Sequence, residues 1–441
     1  MYYYGVDAMV QTGDEQSPRG LFNHRPDQLE NRRIRIIRAI MRVLIYTHVF
    51  PPNVGGVETY ARLLSEGLVK QAGLMGTERI EVTVVTQSPA ESGYDAQFSF
   101  PVVRQPGHFR LLKLIRSATV VQLAGPSLLP MLFALLLRKP FVIEQHGYQA
   151  VCPNGLLLYE PTKEVCPGHF IAQRYQKCLS CNQKLLGWRK SLELLLLTFP
   201  RRLLCRQAAM NVAITHHVAK RLELPRSRVV YHGIPDPLTF NSAAPAVLDK
   251  HLEPICFAYV GRLVSEKGLP VLVQAARRLR DQGHNFHLKL VGDGPEREKL
   301  EAAVTALGLR QHVTFTGFLT GNKLEEALID AVAVVMPSIW EETAGLAAIE
   351  QMFRGRLVIA SDIGGLGEVV GSTGLKFPAG NTAALTNCMR QVLEKPDIVS
   401  EFGQQARLRA LNCFGLESML NEHMAIYRNS CGSRRPCAKR D

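Results

Sequence analysis

The sequence predicts an α/β protein of two facing Rossmann-like domains with a cleft between them. Three observations carry this. From residue 41 onward, continuous apolar runs of strand length alternate with amphipathic helical stretches. The alternation is interrupted once, by the Pro- and Ala-rich stretch PDPLTFNSAAPAVLDKHLEP, and then resumes. The 441 residues suffice for two or three domains of ordinary size.

The elements follow in order. RVLIYTH reads as the first strand, GGVETYARLLSEGLVKQAG as its helix and RIEVTVVTQ as the next strand. The uncharged run between Arg116 and Arg138 has the length of a membrane span. Gly125-Pro126 and Pro130 break it, so it divides into a buried strand, ATVVQLAG, and a helix, PSLLPMLFALLLR. PFVIEQHG and RVVYHGI are strands, with a short strand and helix in AAMNVAITHHVAKRLEL between them. The second series runs ICFAYVG, LPVLVQAARRLRDQG, FHLKLVGDG, PEREKLEAAVTALGL, VTFTG, NKLEEALIDA, VAVVMPS, a helix, and LVIASD. The expected divisions are a disordered extension (1–40), a first domain (41–238) and a Cys-containing insert within it (about 150–185). A linker (239–253), a second domain (254–414), a helix returning to the first domain (415–429) and a basic tail (430–441) complete the chain.

Composition narrows the partners. Hydrophobic residues make up 46% and charged residues 21%, ordinary for a soluble globular protein. A formal net charge of +13 favours acidic partners such as phosphorylated substrates or an anionic membrane surface. The basic runs lack interleaved aromatics, so nucleic acid is not expected. Ten cysteines in this length do not form a secreted disulfide scaffold, and the first residues lack a signal-peptide pattern. The expected location is cytoplasmic, with the cytoplasmic face of a membrane as a further possibility.

Several loops at strand ends have the residues of an anion site. In YVGRLVSEKG, Arg262 and Lys267 follow a strand and precede a helix, which suits a phosphate as well as an ordinary solvated loop. In LVGDGPEREKL, Gly292 and Gly294 permit a tight turn, but Arg297 occupies the third glycine position of a dinucleotide fingerprint. Gly55 and Gly56 open the first helix, where their N–H groups reach a phosphate or sugar or merely allow close packing. His146 sits just past a strand end, and a glycine turn in SDIGGLGEVV leads to Glu368. Glu342 and Glu350 lie about two helical turns apart around a helix of small apolar residues. Carboxylates there must pair with cations or hold a ligand. No Asp-x-Asp occurs, which disfavours a sugar transferase that binds metal through such a pair.

Together these elements resemble the retaining glycosyltransferases of the GT-B architecture, family 4, over about Met41 to Arg428. The resemblance rests on GRLVSEKG, LVGDGP, VTFTGF, PSIWEETAGLAAIEQM and ASDIGGLGEVV occurring in the family's order. It implies that Glu342 and Glu350 are the E-x7-E motif, with Glu350 on the donor ribose and Glu342 against the donor sugar. It implies further that Arg262 and Lys267 neutralise the diphosphate and that the backbone of Gly345 and Leu346 meets the phosphates. The main chain near Phe318 reads the base, and His146 points at the sugar. The implied partners are a nucleotide-sugar donor and a carbohydrate or lipid-linked acceptor, with no cofactor and no divalent metal. Two positions depart from the family pattern: Ala344 stands for an aromatic, and His232-Gly233 for Asn-Gly.

Two segments stand outside this scheme. Cys152, Cys166, Cys178 and Cys181 fall in the insert, either as a structural zinc site or as reduced thiols in a loop. The segment 185–209 mixes leucines with Arg189, Lys190, Arg201, Arg202 and Arg206. It reads as a core-facing helix pair with a basic outer face, or as a membrane-surface segment. The rival functions are a Rossmann-type oxidoreductase, which leaves the paired glutamates idle, and a non-catalytic binding protein of the same fold.

Overall fold

The computed structural model describes residues 40–74, 79–239 and 254–432. The expected disordered extension, nearly all of the linker and most of the basic tail lie outside the described residues. The described residues form one compact unit.

In the first domain the elements are β1 (Ile40–Thr47), α1 (Gly56–Leu74), β2 (Arg79–Thr86), β3 (Val102–Arg104), α2 (His108–Ser117), β4 (Val120–Leu123), α3 (Leu128–Leu136) and β5 (Phe141–Gln145). A small hairpin, β6 (Leu158–Tyr159) and β7 (Glu164–Val165), leads to α4 (Tyr175–Cys205), β8 (Met210–Ala213), α5 (His216–Leu222) and β9 (Ser227–Val229). Seven strands form a sheet in the order β3-β2-β1-β4-β5-β8-β9, with every pair parallel. Crossovers of fixed hand send α2, α3 and α4 to one face of this sheet, where Leu111, Ile115, Met131, Ala134 and Cys205 are buried. The other face packs on α1.

The second domain contains β10 (Ile255–Val260), α6 (Leu269–Asp281), β11 (Phe286–Val291), α7 (Arg297–Ala306), β12 (Val313–Gly317), α8 (Gly321–Ala327) and β13 (Ala331–Met336). It continues with α9 (Leu346–Phe353), β14 (Leu357–Ser361), α10 (Gly364–Val370), β15 (Leu375–Phe377), α11 (Thr382–Glu394) and α12 (Asp397–Cys413). Its parallel sheet runs β12-β11-β10-β13-β14-β15. The last helix, α13 (Leu416–Gly432), lies against the first domain, where Met419, Leu420, Met424 and Tyr427 join the core beneath α1.

Several elements differ from expectation. β3 and β15 are three residues each, too short to show a period. The strand expected over RVVYHGI stops at Val229, because Ile234 turns to exchange backbone bonds with Phe414 and Leu416 (3.0 and 3.1 Å). The basic segment begins inside a 31-residue helix, α4, which starts at Tyr175 and is broken at Gly187 (φ 74°, ψ 166°). Among the described residues no helix is long and apolar enough to cross a membrane.

Candidate functional site

The cleft between the sheets is lined by loops that follow β1, β5, β10, β11, β12 and β13, as expected for ligand sites of parallel sheets. It holds a cavity of about 450 Å³. All ten of the sequence-expected residues line it: Gly55, Gly56, His146, Arg262, Lys267, Phe318, Glu342, Gly345, Leu346 and Glu350.

The second-domain wall is charged, and glycines bring its parts together. Gly268 has φ +66°, and a Cβ there would lie 2.0 Å from the Pro337 carbonyl oxygen. Only glycine lets the loop after β10 approach the end of β13 so closely. The Ile339 amide donates to the Glu266 carbonyl at 3.0 Å and ties the two loops. Lys267 thereby reaches Glu342, with Nζ 2.8 Å from Oε1. Ser338 also donates to that carboxylate. Glu342 is nearly buried, so pairing and ligand-facing hold for it at once. Arg262, by contrast, is 74% exposed at the rim and only 3.9 Å from Glu266.

Glu350, on α9, is half-buried in the same cleft. Burial pushes its carboxyl above the ordinary range, and Arg354 offsets this only in part. Among the described residues its carboxylate has no hydrogen-bond partner, and Arg354 donates to its backbone carbonyl instead. An unpartnered carboxylate facing a cavity is a place for a ligand hydroxyl. Gly292 (φ +141°) would place a Cβ 1.9 Å from the Gly261 carbonyl oxygen, so the floor between β10 and β11 is bare backbone. Arg297, which breaks the dinucleotide fingerprint, pairs with Asp293 (3.2 Å) and Glu301 (2.8 Å). Phe318 is 59% exposed at the cleft edge.

The first-domain wall is neutral. A Cβ on Gly56 would meet only Leu346 Cδ2, at 3.9 Å across the cleft, so the helix start leaves open room. His146 Nδ1 lies 3.2 Å from His232 Nε2. The Tyr60 ring stacks on His232 and meets His146 edge-on. Burial lowers both imidazoles, His146 well below its usual range and His232 to about 4, so both are neutral near pH 7. His146 Nε2 is buried without a partner.

Sequence reading missed what holds the walls together. The loop from Trp340 to Ala344 belongs to the second domain by chain, yet Trp340 and Ala344 pack into the first domain's core. Tyr148 donates to the Glu341 carbonyl (2.9 Å), Thr215 to the Thr343 carbonyl (2.8 Å), and Thr343 to the His146 carbonyl (3.1 Å). Arg221 meets the Glu341 carboxylate at 2.9 Å. Glu368 accepts from the amides of His216 (2.9 Å) and His217 (2.8 Å), and from the Tyr231 hydroxyl (2.8 Å). The Glu341-Glu342 doublet was the available signal, since adjacent carboxylates in an apolar segment require two separate partners.

The cysteines of the insert do not line the cleft. Cys152, Cys166, Cys178 and Cys181 are buried free thiols that line one small void with His169. Burial pushes the Cys152 thiol up to about 11 and the Cys178 thiol up to about 12. Cys152 donates to Asn154 Oδ1 at 2.9 Å, and Cys181 to the Leu158 carbonyl at 3.5 Å. Among the described residues no group of three or more His, Cys, Asp or Glu is arranged to hold a metal ion.

Residues 242–409 match the family model Glycosyl transferases group 1. Among curated proteins the chain is 32% identical over 255 residues to 2-deoxystreptamine glucosyltransferase of Streptomyces kanamyceticus, covering 54% of this chain and 65% of that one. It is 34% identical over 175 residues to 2-deoxystreptamine N-acetyl-D-glucosaminyltransferase of Streptomyces fradiae, covering 36% and 41%. The chain thus spans less than two thirds of either relative's length. Among solved structures, sucrose-phosphate synthase of Thermosynechococcus elongatus superposes with a TM-score of 0.65 at 20% identity, over 89% of this chain and all of that one. Anabaena Alr3699/HepE, solved with UDP and glucose, gives 0.62 at 16% identity, over 87% and 98%. The fold is that of the GT-B enzymes.

Proposed function

We propose that the protein is a retaining, family 4 glycosyltransferase. It moves a sugar from a nucleotide-activated donor to a hydroxyl acceptor, in polysaccharide, lipopolysaccharide or glycolipid assembly at the cytoplasmic face of a membrane. The observation that carries this is the Lys267–Glu342 pair and the unpartnered Glu350 carboxylate facing one cavity, opposite the neutral His146. The names of the relatives support sugar transfer, and the bound UDP of the Anabaena structure supports a nucleotide donor.

In this reading Glu350 accepts the ribose hydroxyls, the main chain near Phe318 reads the base, and Arg262 and Lys267 meet the diphosphate. The amides of Gly345 and Leu346 add the positive end of α9. As the bond from the sugar's anomeric carbon to the phosphate oxygen breaks, negative charge gathers on the departing diphosphate. Preplaced cations and amides stabilise it without a divalent ion. Positive charge grows on the sugar, where the Glu342 carboxylate lies. The acceptor oxygen attacks from the same face, and its proton passes to the departing phosphate oxygen. Gly56 leaves room for the sugar or phosphate at the start of α1, and Gly55 lies beside it on the same wall.

Incubating the purified protein with a panel of nucleotide sugars in excess chelator tests this. Release of nucleoside diphosphate is expected to persist. Loss that magnesium or manganese restores would overturn the metal-free mechanism. Tight donor binding with no turnover on any acceptor would favour the non-catalytic rival.

A further inference from the structure

We propose that Arg221 is a positioning residue for sugar transfer. From the first domain it takes the charge of Glu341, and so leaves Lys267 to Glu342 and the donor diphosphate. This rests on the roles of Lys267 and Glu342 given above. Neither Arg221 nor Glu341 lines the cleft cavity itself.

Glu341 and Glu342 are neighbours in sequence and nearly buried, at 9% and 6% exposure. Adjacent buried carboxylates repel one another, and each needs its own cation. Their partners come from opposite sides of the cleft. Glu342 meets Lys267 of the second domain at 2.8 Å. Glu341 turns to α5 of the first domain, where Arg221 Nε lies 2.9 Å from Oε2 and His217 Nε2 lies 3.5 Å from Oε1. Arg221 Nη2 also donates to the Cys166 carbonyl at 2.6 Å, which holds the guanidinium from behind.

The backbone of the doublet is fixed by other means. The Gly365 amide donates to the Glu342 carbonyl at 2.6 Å, and a Cβ on Gly364 would lie 2.7 Å from that oxygen and from the Glu341 carbonyl carbon. On the other face, the Glu341 and Thr343 carbonyls accept from Tyr148 and Thr215. What such a loop leaves open is which carboxylate takes which cation. Lys267 cannot sort them, because its ammonium is a point charge on a flexible stem. Arg221 can, because a guanidinium is a rigid fork that keeps its proton. Without it the Glu341 charge would be uncompensated, and would compete with Glu342 for Lys267 or force a proton onto the doublet. Either outcome disturbs the charge beside the departing diphosphate. A helix of one domain thus sorts the charges on a loop of the other.

Arg221→Gln, Glu341→Gln and the double variant test this against the parent. The readouts, per folded molecule, are affinity for UDP, GDP and ADP by calorimetry and release of nucleoside diphosphate from a panel of nucleotide sugars. A free diphosphate carries the charge that develops during transfer, so both readouts report on Lys267. In Arg221→Gln the affinity for the preferred diphosphate is expected to fall about tenfold and kcat about thirtyfold, with the donor KM changing by no more than about threefold. Glu341→Gln and the double variant are expected to stay within about threefold of the parent in both readouts, because no carboxylate is stranded in them. The Cys166 contact is lost in both arginine variants, so recovery in the double variant separates charge from packing. Parent affinity and kcat in Arg221→Gln, with or without a lowered melting temperature, would overturn the assignment. So would a double variant no better than Arg221→Gln. If Arg221→Gln is too unstable to assay, the double variant decides alone: parent-like values support the role and a loss in both readouts removes it. A parent that binds none of the three diphosphates and releases none from any donor would remove the transferase reading and this role with it, an outcome distinct from the others.

Discussion

The two walls of the cleft solve different problems. The second-domain wall is charged: Arg262, Lys267 and Glu342 follow strand ends, Glu350 sits on α9, and all four touch the cavity themselves. The first-domain wall is neutral and backed by a buried network. Behind Tyr60 and the imidazole pair, His423 of α13 lies 3.0 Å from Glu144, and Tyr60 lies 3.0 Å from His423. Gln122 joins Tyr60 at 3.2 Å. One wall supplies charge to a ligand. The other supplies shape, and spends its own charges on holding α13. Mutations on the two walls should therefore fail in different currencies, turnover on one and stability on the other.

The largest effect is expected at Lys267. Lys267→Ala removes a diphosphate cation and strands the nearly buried Glu342, so turnover should fall by about a thousandfold, with a lowered melting temperature. Arg262→Ala should cost about a hundredfold without changing the melting temperature, because that guanidinium is mostly in solvent. Wild-type rates in both variants would break the assignment of this wall to the diphosphate.

The glutamates sharpen the contrast within the charged wall. Glu342→Gln should lower kcat by about a hundredfold and change KM little, since its carboxylate acts where charge develops. Glu350→Gln should raise the donor KM by about tenfold and leave kcat nearly alone, as a contact made equally in both states does. If initial rates and melts instead fall together in both variants, the pair only anchors its helix.

On the neutral wall the readout is stability against pH. Burial alone would lower the His423 imidazole, but the charge and hydrogen bond of Glu144 outweigh it, and its pKa is raised. A raised folded pKa stabilises the fold fully below the unfolded value near 6.5, and that contribution is lost as pH rises through the folded value. Glu144→Gln should cost about 3 kcal/mol at pH 6 and less at high pH, with the two melting curves converging as pH increases. A constant gap across the range would show that His423 is neutral in the fold. The smallest effect is expected at Glu368, where Glu368→Gln leaves the two amides of α5 with a weaker acceptor and should cost about 1 kcal/mol.

The charged wall was legible in the sequence because each of its residues sits beside strong strand and helix signals within one domain. Arg262, Lys267, Glu342 and Glu350 needed only β10, β13 and α9 to be in register. The neutral wall was less so. His146 was visible from its strand end, but its partner His232 is 86 positions away and its backing, His423, is 277 positions away. No local pattern records such pairings. The strand expected over RVVYHGI ends early because its apolar period continues while its backbone bonds leave the sheet for Phe414 and Leu416. Glu341 went unassigned because its partner, Arg221, lies in the other domain.

The loop from Trp340 to Ala344 has a consequence for building hybrids. Covalent boundaries and packing boundaries do not coincide in this protein: the loop from Trp340 to Ala344 sends Trp340 and Ala344 of the second domain into the first domain's core, and α13 packs there from the other end. A donor-specificity swap that joins a foreign second domain at the linker would carry in a plug cut for a different socket and a clasp cut for a different groove. Parts made to exchange at that joint should express poorly even when both parents are stable. A hybrid that keeps Trp340–Ala344 and Leu416–Gly432 with the first domain is the one expected to fold.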